Sequence, residues 1–448
     1  MTAVTGTDAS QRSIRATMWI LLLVYILNFL DRQILNILAE PIKGELGLSD
    51  TQLGLLAGPA FAVFYAVLGI PIARYADRGS TNRVSLISVS LIIWSGMTAV
   101  CGFAQNFWQM ALARVGVGVG EAGCTPAAHS LISDAVPPEK RASAIAFYGM
   151  GVPIGTLLGL VIGGTVNDIW GWRAALMLVG APGIILALLL PFLLREPRRL
   201  GLAKTEAAPV APPQVPVGKA IAEIFNSRAY VLLLVAASFA AFLAYGKGLW
   251  TLSLFIRSHG LTTTEVGLIG SVTLGIAGVF GTWLGGWAAD RFGQINRRHI
   301  LTLPAVGMAV AAPIQFLGYG APLWWVAGLL ILVPTILNAA YYGPAYACVQ
   351  GLVRKELRAV AASVMLFGQN LIGLGLGPFV FGALSDWLEP MAGTESVRWV
   401  LFGAAWLGFI PAFFFWRASL RLNAELDRKN AVSAPAPAPA APGSPAQS

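Results

Sequence analysis

Apolar residues run along this chain in long unbroken stretches, not in the one-sided stripe of a water-soluble helix or the alternation of a half-buried strand. The stretches fall near 17–39, 51–74, 83–104, 107–135, 141–166 and 173–194, and after a break near 228–256, 264–289, 299–318, 322–350, 356–385 and 396–420. Each is about as long as a helix that crosses roughly 30 Å of hydrocarbon. Lipid cannot satisfy an open backbone, and barrel strands would be short and alternating, so the pattern predicts helices. The expected fold is an all-α membrane protein with twelve transmembrane helices. Residues 1–16 are polar and read as a cytoplasmic N-terminus, and the first apolar run is too long for a signal peptide. The break at 195–227 carries Pro197, Pro209, Pro212, Pro213 and Pro216 and reads as a flexible cytoplasmic linker between six-helix halves at 17–194 and 228–420. The segment 421–448 ends in an Ala/Pro run and reads as a disordered cytoplasmic tail.

Composition sharpens this. Of 448 residues, 56% are hydrophobic and only 11% charged, and the mean hydropathy is +0.70. A soluble domain carries roughly 25% charged residues, so this chain lacks the charge to cover a water-facing surface. The net charge is +9, but the basic residues gather at span ends and not on one patch, which argues against nucleic acid as a partner. With both termini on one side, that side collects most of the loop Lys and Arg, leaving Lys43, Arg173, Arg257 and Arg398 opposite. The positive-inside rule then places both termini in the cytoplasm, in a plasma membrane or a bacterial inner membrane.

Two loops repeat. Ala76-Asp77-Arg78 returns as Ala289-Asp290-Arg291, 213 residues on, and Arg141-Ala142 returns as Arg358-Ala359, 217 residues on. Two loops at nearly one spacing indicate homologous, pseudo-symmetric halves. Cys101, Cys124 and Cys348 lie inside spans with no CxxC spacing, and His129, His259 and His299 have no metal-ligand spacing, so no metal or cofactor is expected. HExxH, GxSxG and GxxxxGK[ST] are all absent, so neither an intramembrane enzyme of those types nor a nucleotide-driven pump is expected.

Five full charges sit inside spans: Asp31, Arg32, Arg114, Glu121 and Lys247. Each costs at least about 2.5–3.5 kcal/mol at the bilayer centre, so they should face a polar cavity and partner one another. Arg114 and Glu121 are seven residues apart and share a helix face. Asp31 and Glu121 are candidates for the proton-carrying carboxylate. Arg32 and Arg114 are candidates to neutralise it or to hold an anionic substrate. The competing reading is a static salt-bridge cluster that aligns the first and fourth helices. Lys247 is either an anion contact from the second half or a lysine snorkelling to the interface. Tyr25, Asn28, Tyr65, Tyr148, Trp250, Gln369 and Asn370 are candidates to line the cavity, against the plainer reading of helix packing.

A twelve-span chain with a charged motif after spans two and eight resembles the major facilitator superfamily over its whole length. Gly286 to Gly293 follows the family's Gly-x-x-x-Asp-Arg-x-Gly loop, with the closing pair displaced to Arg297 and Arg298; in the first copy Ala73 replaces the leading glycine. Within the superfamily, Asn28-Phe29-Leu30-Asp31-Arg32, the Arg114 to Ala122 glycine run, Trp250 to Gly260 and Gln369-Asn370 through Ser385-Asp386 are similar to Spinster-type transporters. The resemblance implies alternating-access transport of amphipathic or lipid-like organic anions, such as lysophospholipids or sphingoid phosphates. A related branch would import a small anion such as a sugar acid. It also implies that Asp77, Arg78, Arg141, Asp290, Arg291 and Arg358 form cytoplasmic latches favouring the outward-facing state. The expected partners are a small-molecule or lipid-like substrate, protons and the bilayer, with the chain working as a monomer.

Overall fold

The computed structural model describes residues 4–196 and 216–433, which are almost entirely helical. Among them, nine stretches are long and apolar enough to cross a bilayer. Two of the nine are double length. The first, Ser143–Leu193, reverses at Gly171, whose φ of 82° suits glycine, and the second, Arg358–Arg428, reverses at Gly393. The segment 107–135 adds a further crossing length, broken after Glu121 into two short helices. This layout accommodates the twelve expected spans. We number them α1 (Val4–Ile37), α2 (Asp50–Asp77), α3 (Arg83–Cys101), α4 (107–135), α5 (151–170), α6 (172–193), α7 (Arg228–His259), α8 (Thr263–Gly293), α9 (His299–Gly320), α10 (Trp324–Leu352), α11 (358–392) and α12 (396–433).

The polar residues between spans start the helices. Ser49 and Gln52 form a reciprocal capping box at the head of α2, and Thr262 and Glu265 form another at α8. Asn82, Asn106 and Ser227 accept from backbone amides at the heads of α3, α4 and α7. Inside the bundle, small residues let helices touch. Gly155 and Gly159 of α5 lie against the backbone of α1, and Gly180 of α6 lies against α3. Two spans also leave ideal α geometry. Ser271–Ile276 in α8 and Gln369–Leu376 in α11 are π-helical, with i→i+5 bonding.

The face of the bundle that carries the start of α1 and the end of α12 is here called proximal, and the opposite face distal. The two halves are joined at the distal face. There α2 crosses α11 at Gly54 and Gly58, where an added Cβ would lie 2.5 Å from the Pro378 carbonyl oxygen and 2.4 Å from that of Gly375. Alongside, α5 meets α8: Asp168 accepts from the Thr263 hydroxyl (2.6 Å) and the Thr264 amide (2.8 Å). At the proximal face the described ion pairs each stay within one half. Arg83 joins Glu196 and Asp134 (2.7 Å to the latter), Arg354 joins Glu223, and Arg297 joins Asp427 at 3.2 Å. Gly54→Val should therefore hold the distal face open, lowering the population of this closed arrangement at least tenfold. Spin-label distances across α2 and α11 that match the wild type would refute this.

Two boundaries differ from the sequence reading. Part of the 195–227 break is a helix, Val217–Phe225, which buries Ala220 and Ile224 beside α7 while Glu223 reaches Arg354. Its one-sided apolar pattern was masked by the prolines around it. Residues 197–215 of the break lie outside the described residues. The tail boundary at 421 also moves, because α12 continues to Ser433. Leu422 is fully buried, Glu425 accepts from the Ala229 amide and the Ser227 hydroxyl, and Asn423 bonds Asn296. Only 434–448 of the expected tail lies outside the described residues.

Candidate functional site: a buried charge cluster in the first half

Asp31 and Arg32 are consecutive on α1, so their side chains leave the helix about 100° apart and serve different neighbours. Asp31, 2% exposed, turns to α3, where Thr98 Oγ1 lies 2.6 Å from both carboxylate oxygens and donates to the pair. Arg32 turns to α2 and α4. Its Nη2 donates to Glu121 Oε2 at 2.5 Å, and its guanidinium lies 4.8–5.0 Å from the ring centres of Phe29, Phe61 and Tyr65. Three aromatic faces and one carboxylate thus hold a cation that lipid could not. Arg114 lies behind the same Phe61 ring, at 5.3 Å, and its Nε donates to the Leu56 carbonyl at 3.4 Å.

The cluster holds two carboxylates and two guanidiniums, formally neutral when all are ionised. Protonating either carboxylate leaves one guanidinium unmatched in a low-dielectric setting, which favours an anion there. Hydrogen-bonding capacity remains within the group: Arg32 Nε, Glu121 Oε1 and the Asn28 amide nitrogen are buried without a protein partner. Around them Tyr25 stacks on Tyr148 (4.2 Å), and Tyr65 stacks on Phe61 (5.4 Å).

The structure brings Asp31, Arg32, Arg114, Glu121, Tyr25, Asn28, Tyr65 and Tyr148 into one region of the first half. It does not pair Arg114 with Glu121; two turns of one helix are too far apart for that, and Arg32 takes the carboxylate. Nor does it bring Lys247 there. Lys247 donates to Gln315 of α9 at 2.7 Å, inside the second half. Trp250 is 1% exposed and donates to the Pro378 carbonyl at 3.0 Å, so it packs in the distal junction and does not line an opening. Gln369 accepts from Tyr346 at 2.8 Å and is buried, and its neighbour Asn370 is half-buried within the π segment of α11. At the proximal face Arg141, at the start of the short helix Arg141–Gly149 that precedes α5, donates back to the Val136 carbonyl just past α4 (3.2 Å), and Arg358, at the head of α11, donates to the Gln350 carbonyl of α10 (3.0 Å). Arg78 lies 5.8 Å from the Tyr75 ring, and Asp77, Asp290 and Arg291 stand at the ends of α2 and α8.

Sequence reasoning missed Thr98, and it left Arg257 as a topology charge. Thr98 is a hydroxyl in mid-span, a weak signal alone. Thr98→Val should lower thermal stability by about 1–3 kcal/mol, because it leaves a buried carboxylate without its donor. The loss should not add to that of Asp31→Asn in a double-mutant cycle, and simple additivity would show that the bond is not there.

A bundle of apolar helices in two joined halves, with charges buried at mid-depth, defines a multi-pass membrane transporter. The chain belongs to the Major Facilitator Superfamily, whose family model matches residues 21–378. Within it the chain is Spinster-like. It is similar to a solved bacterial homolog of the human lysosomal transporter Spinster, in an inward-facing and unoccupied conformation, with TM-score 0.84 and 32% identity over 92% of this chain and 98% of that one. It is 26% identical to spinster homolog 1 of Xenopus laevis, over 93% of this chain and 82% of that protein. An MFS-type efflux pump of Mycolicibacterium smegmatis is 34% identical, over 92% of this chain and 94% of the pump. A hexuronate transporter of Bacillus subtilis is 25% identical, over 92% and 97% respectively.

Proposed function

We propose that the chain is a proton-coupled secondary transporter of an amphipathic organic anion, of the lysophospholipid or sphingoid-phosphate kind, working by alternating access. The observation that carries this reading is the Arg32–Glu121 pair beside Asp31 and Arg114: a largely enclosed cation whose only ion-pair partner, among the described residues, is a fully buried, titratable carboxylate. A proton on Glu121 releases Arg32 to an anionic headgroup, and proton loss returns Arg32 to the carboxylate. Asp31 is the second candidate for the travelling proton. The halves at 17–194 and 228–420 rock about this site, and Asp77, Arg78, Arg141, Asp290, Arg291 and Arg358 latch the proximal face when it closes. The basic proximal face lies in the cytoplasm and the carrier acts as a monomer in the plasma membrane. In that orientation the distal junction described above is the external seal, as in the inward-facing relative.

Import of a small organic anion such as a sugar acid is the second reading, supported by the likeness to the hexuronate transporter. Flux of labelled lysophospholipid and labelled sugar acid into liposomes under an imposed pH gradient, with Asp31→Asn as control, separates the two. Gradient-driven lysophospholipid movement that collapses in the variant is expected. Sugar-acid flux in its place would move the carrier to the other branch, and lysophospholipid flux indifferent to the gradient would remove the proton role.

A further inference from the structure

The second half holds a buried titratable side chain that the transport scheme does not use. Lys247 is 8% exposed in α7, and Gln315 Oε1, at 2.7 Å, is its one described hydrogen-bond partner. An ammonium has three N–H donors and demands a counter-charge when buried. A neutral amine is content with one amide oxygen.

The charged groups of the elements packed against α7 are committed elsewhere. From α1, Asp31 is held by Thr98 and Arg32 by Glu121. On α7 itself, Arg257 is bound by Glu40 and Asp50, and Asp50 also takes Lys43. From α9, Tyr319 faces Thr251 at 3.3 Å, one turn from Lys247. From α12, Arg398 pairs with Glu395, while Glu425 caps the head of α7. From α11, Asp386 accepts two amides at the head of α2, and Glu389 is exposed at the distal end. From α8, Glu265 caps its own helix, and Asp290 and Arg291 stand at the proximal end. The proximal Arg354 and Arg358 of the α10–α11 turn point to Glu223 and to a carbonyl.

The position of Lys247 is not arbitrary. The two loops that repeat do so at 213 and 217 residues. Asp31 and Lys247 are 216 apart, and Thr98 and Gln315 are 217 apart. In each half the first helix thus sends one buried titratable group to one uncharged partner on the third helix. The second half carries a base where the first carries an acid.

We propose that Lys247 is a second proton-binding site of the carrier, the counterpart of Asp31 in the other half, resting on the proton-coupled reading above. The step is addition of a proton to the Nζ lone pair, –NH2 to –NH3⁺. The amine is neutral in the present arrangement and takes its proton in the arrangement that gives it water or an anion. Protonation discharges Asp31 but charges Lys247, so both halves respond to one pH change with the same electrostatic sign.

The test needs no substrate. Spin labels at the exposed Ser80 and Gln294, in the repeat-related proximal loops, report the spacing of the halves in full-length protein in lipid nanodiscs across pH. The wild type should show a transition from Lys247 besides that of the first-half carboxylates. Lys247→Met should lose the former and keep its thermal stability, because it replaces a neutral chain of like size. Asp31→Asn should alter the first-half transition and leave that of Lys247. Gln315→Leu, which removes the acceptor alone, should move the Lys247 transition by at least one pH unit, and it serves if Lys247→Met does not fold. A profile unchanged in both Lys247→Met and Gln315→Leu, with Asp31→Asn still effective, overturns this proposal and leaves the first standing. A profile unchanged in all three overturns this proposal and takes the proton from Asp31, leaving the coupled reading to be tested on Glu121→Gln.

Discussion

Replacing Arg257 with leucine is expected to unseal the distal face. Arg257 of α7 makes four charge-assisted bonds to the first half: two to Glu40 (both 2.8 Å) and two to Asp50 (2.6 and 2.8 Å). Asp50 is 2% exposed and also takes Lys43 at 2.5 Å and the Ser385 hydroxyl at 2.6 Å. Removing one member of such a buried group strands the others at a cost of about 3–5 kcal/mol. The stranded carboxylates are rehydrated only if the halves part there. The population of the sealed state should fall by about two to four orders of magnitude relative to the unsealed one. Spin-label distances across the distal ends of α2 and α11 measure this. A distribution unchanged in Arg257→Leu would mean that helix contact alone, at Gly54 and Gly58, carries the closure.

The second large effect is expected at Glu121. Glutamine mimics the protonated acid, so Arg32 keeps a hydrogen-bond acceptor but loses its charge partner. In Glu121→Gln, binding of a labelled lysophospholipid should lose its pH dependence and hold its acid-side strength at alkaline pH. Gradient-driven flux should drop by about a hundredfold or more, while exchange without a gradient survives. Proton and anion enter together in this scheme, so the sign is fixed: wild-type binding strengthens as pH falls. Binding to Glu121→Gln that still weakens with rising pH would assign the proton elsewhere, with Asp31 next in line.

Hydropathy makes the spans legible, because the bilayer imposes one solution on every apolar stretch, and the two repeated loops point to the halves. The same price on buried charge made the five interior residues conspicuous. Their pairing was not legible. Which way a helical side chain points relative to other helices is settled by tertiary rotation. Adjacent charges such as Asp31 and Arg32 therefore look like one feature in sequence and act as two in space. Arg257 escaped notice because a basic residue at a span end has a sufficient explanation in topology. Thr98 and Gln315 were hidden differently. Each is an ordinary polar residue until the repeat spacing is applied to its half's titratable partner.

The two π-helical segments belong to α8 and α11, the helices that the second half contributes to the distal junctions. Their counterparts at those junctions, α2 and α5, contain none among the described residues, and α2 breaks at Gly58 instead. A π turn stores one surplus residue in an otherwise continuous rod. Passing that residue along the rod turns the stretch it traverses by about 100° without severing the helix. The two halves thus interrupt their junction helices differently, the first by a break at Gly58 and the second by π turns. A stretch of α8 or α11 can turn a new face to its neighbours while both ends stay in place, a freedom that duplication of the sequence has not given to α2 and α5.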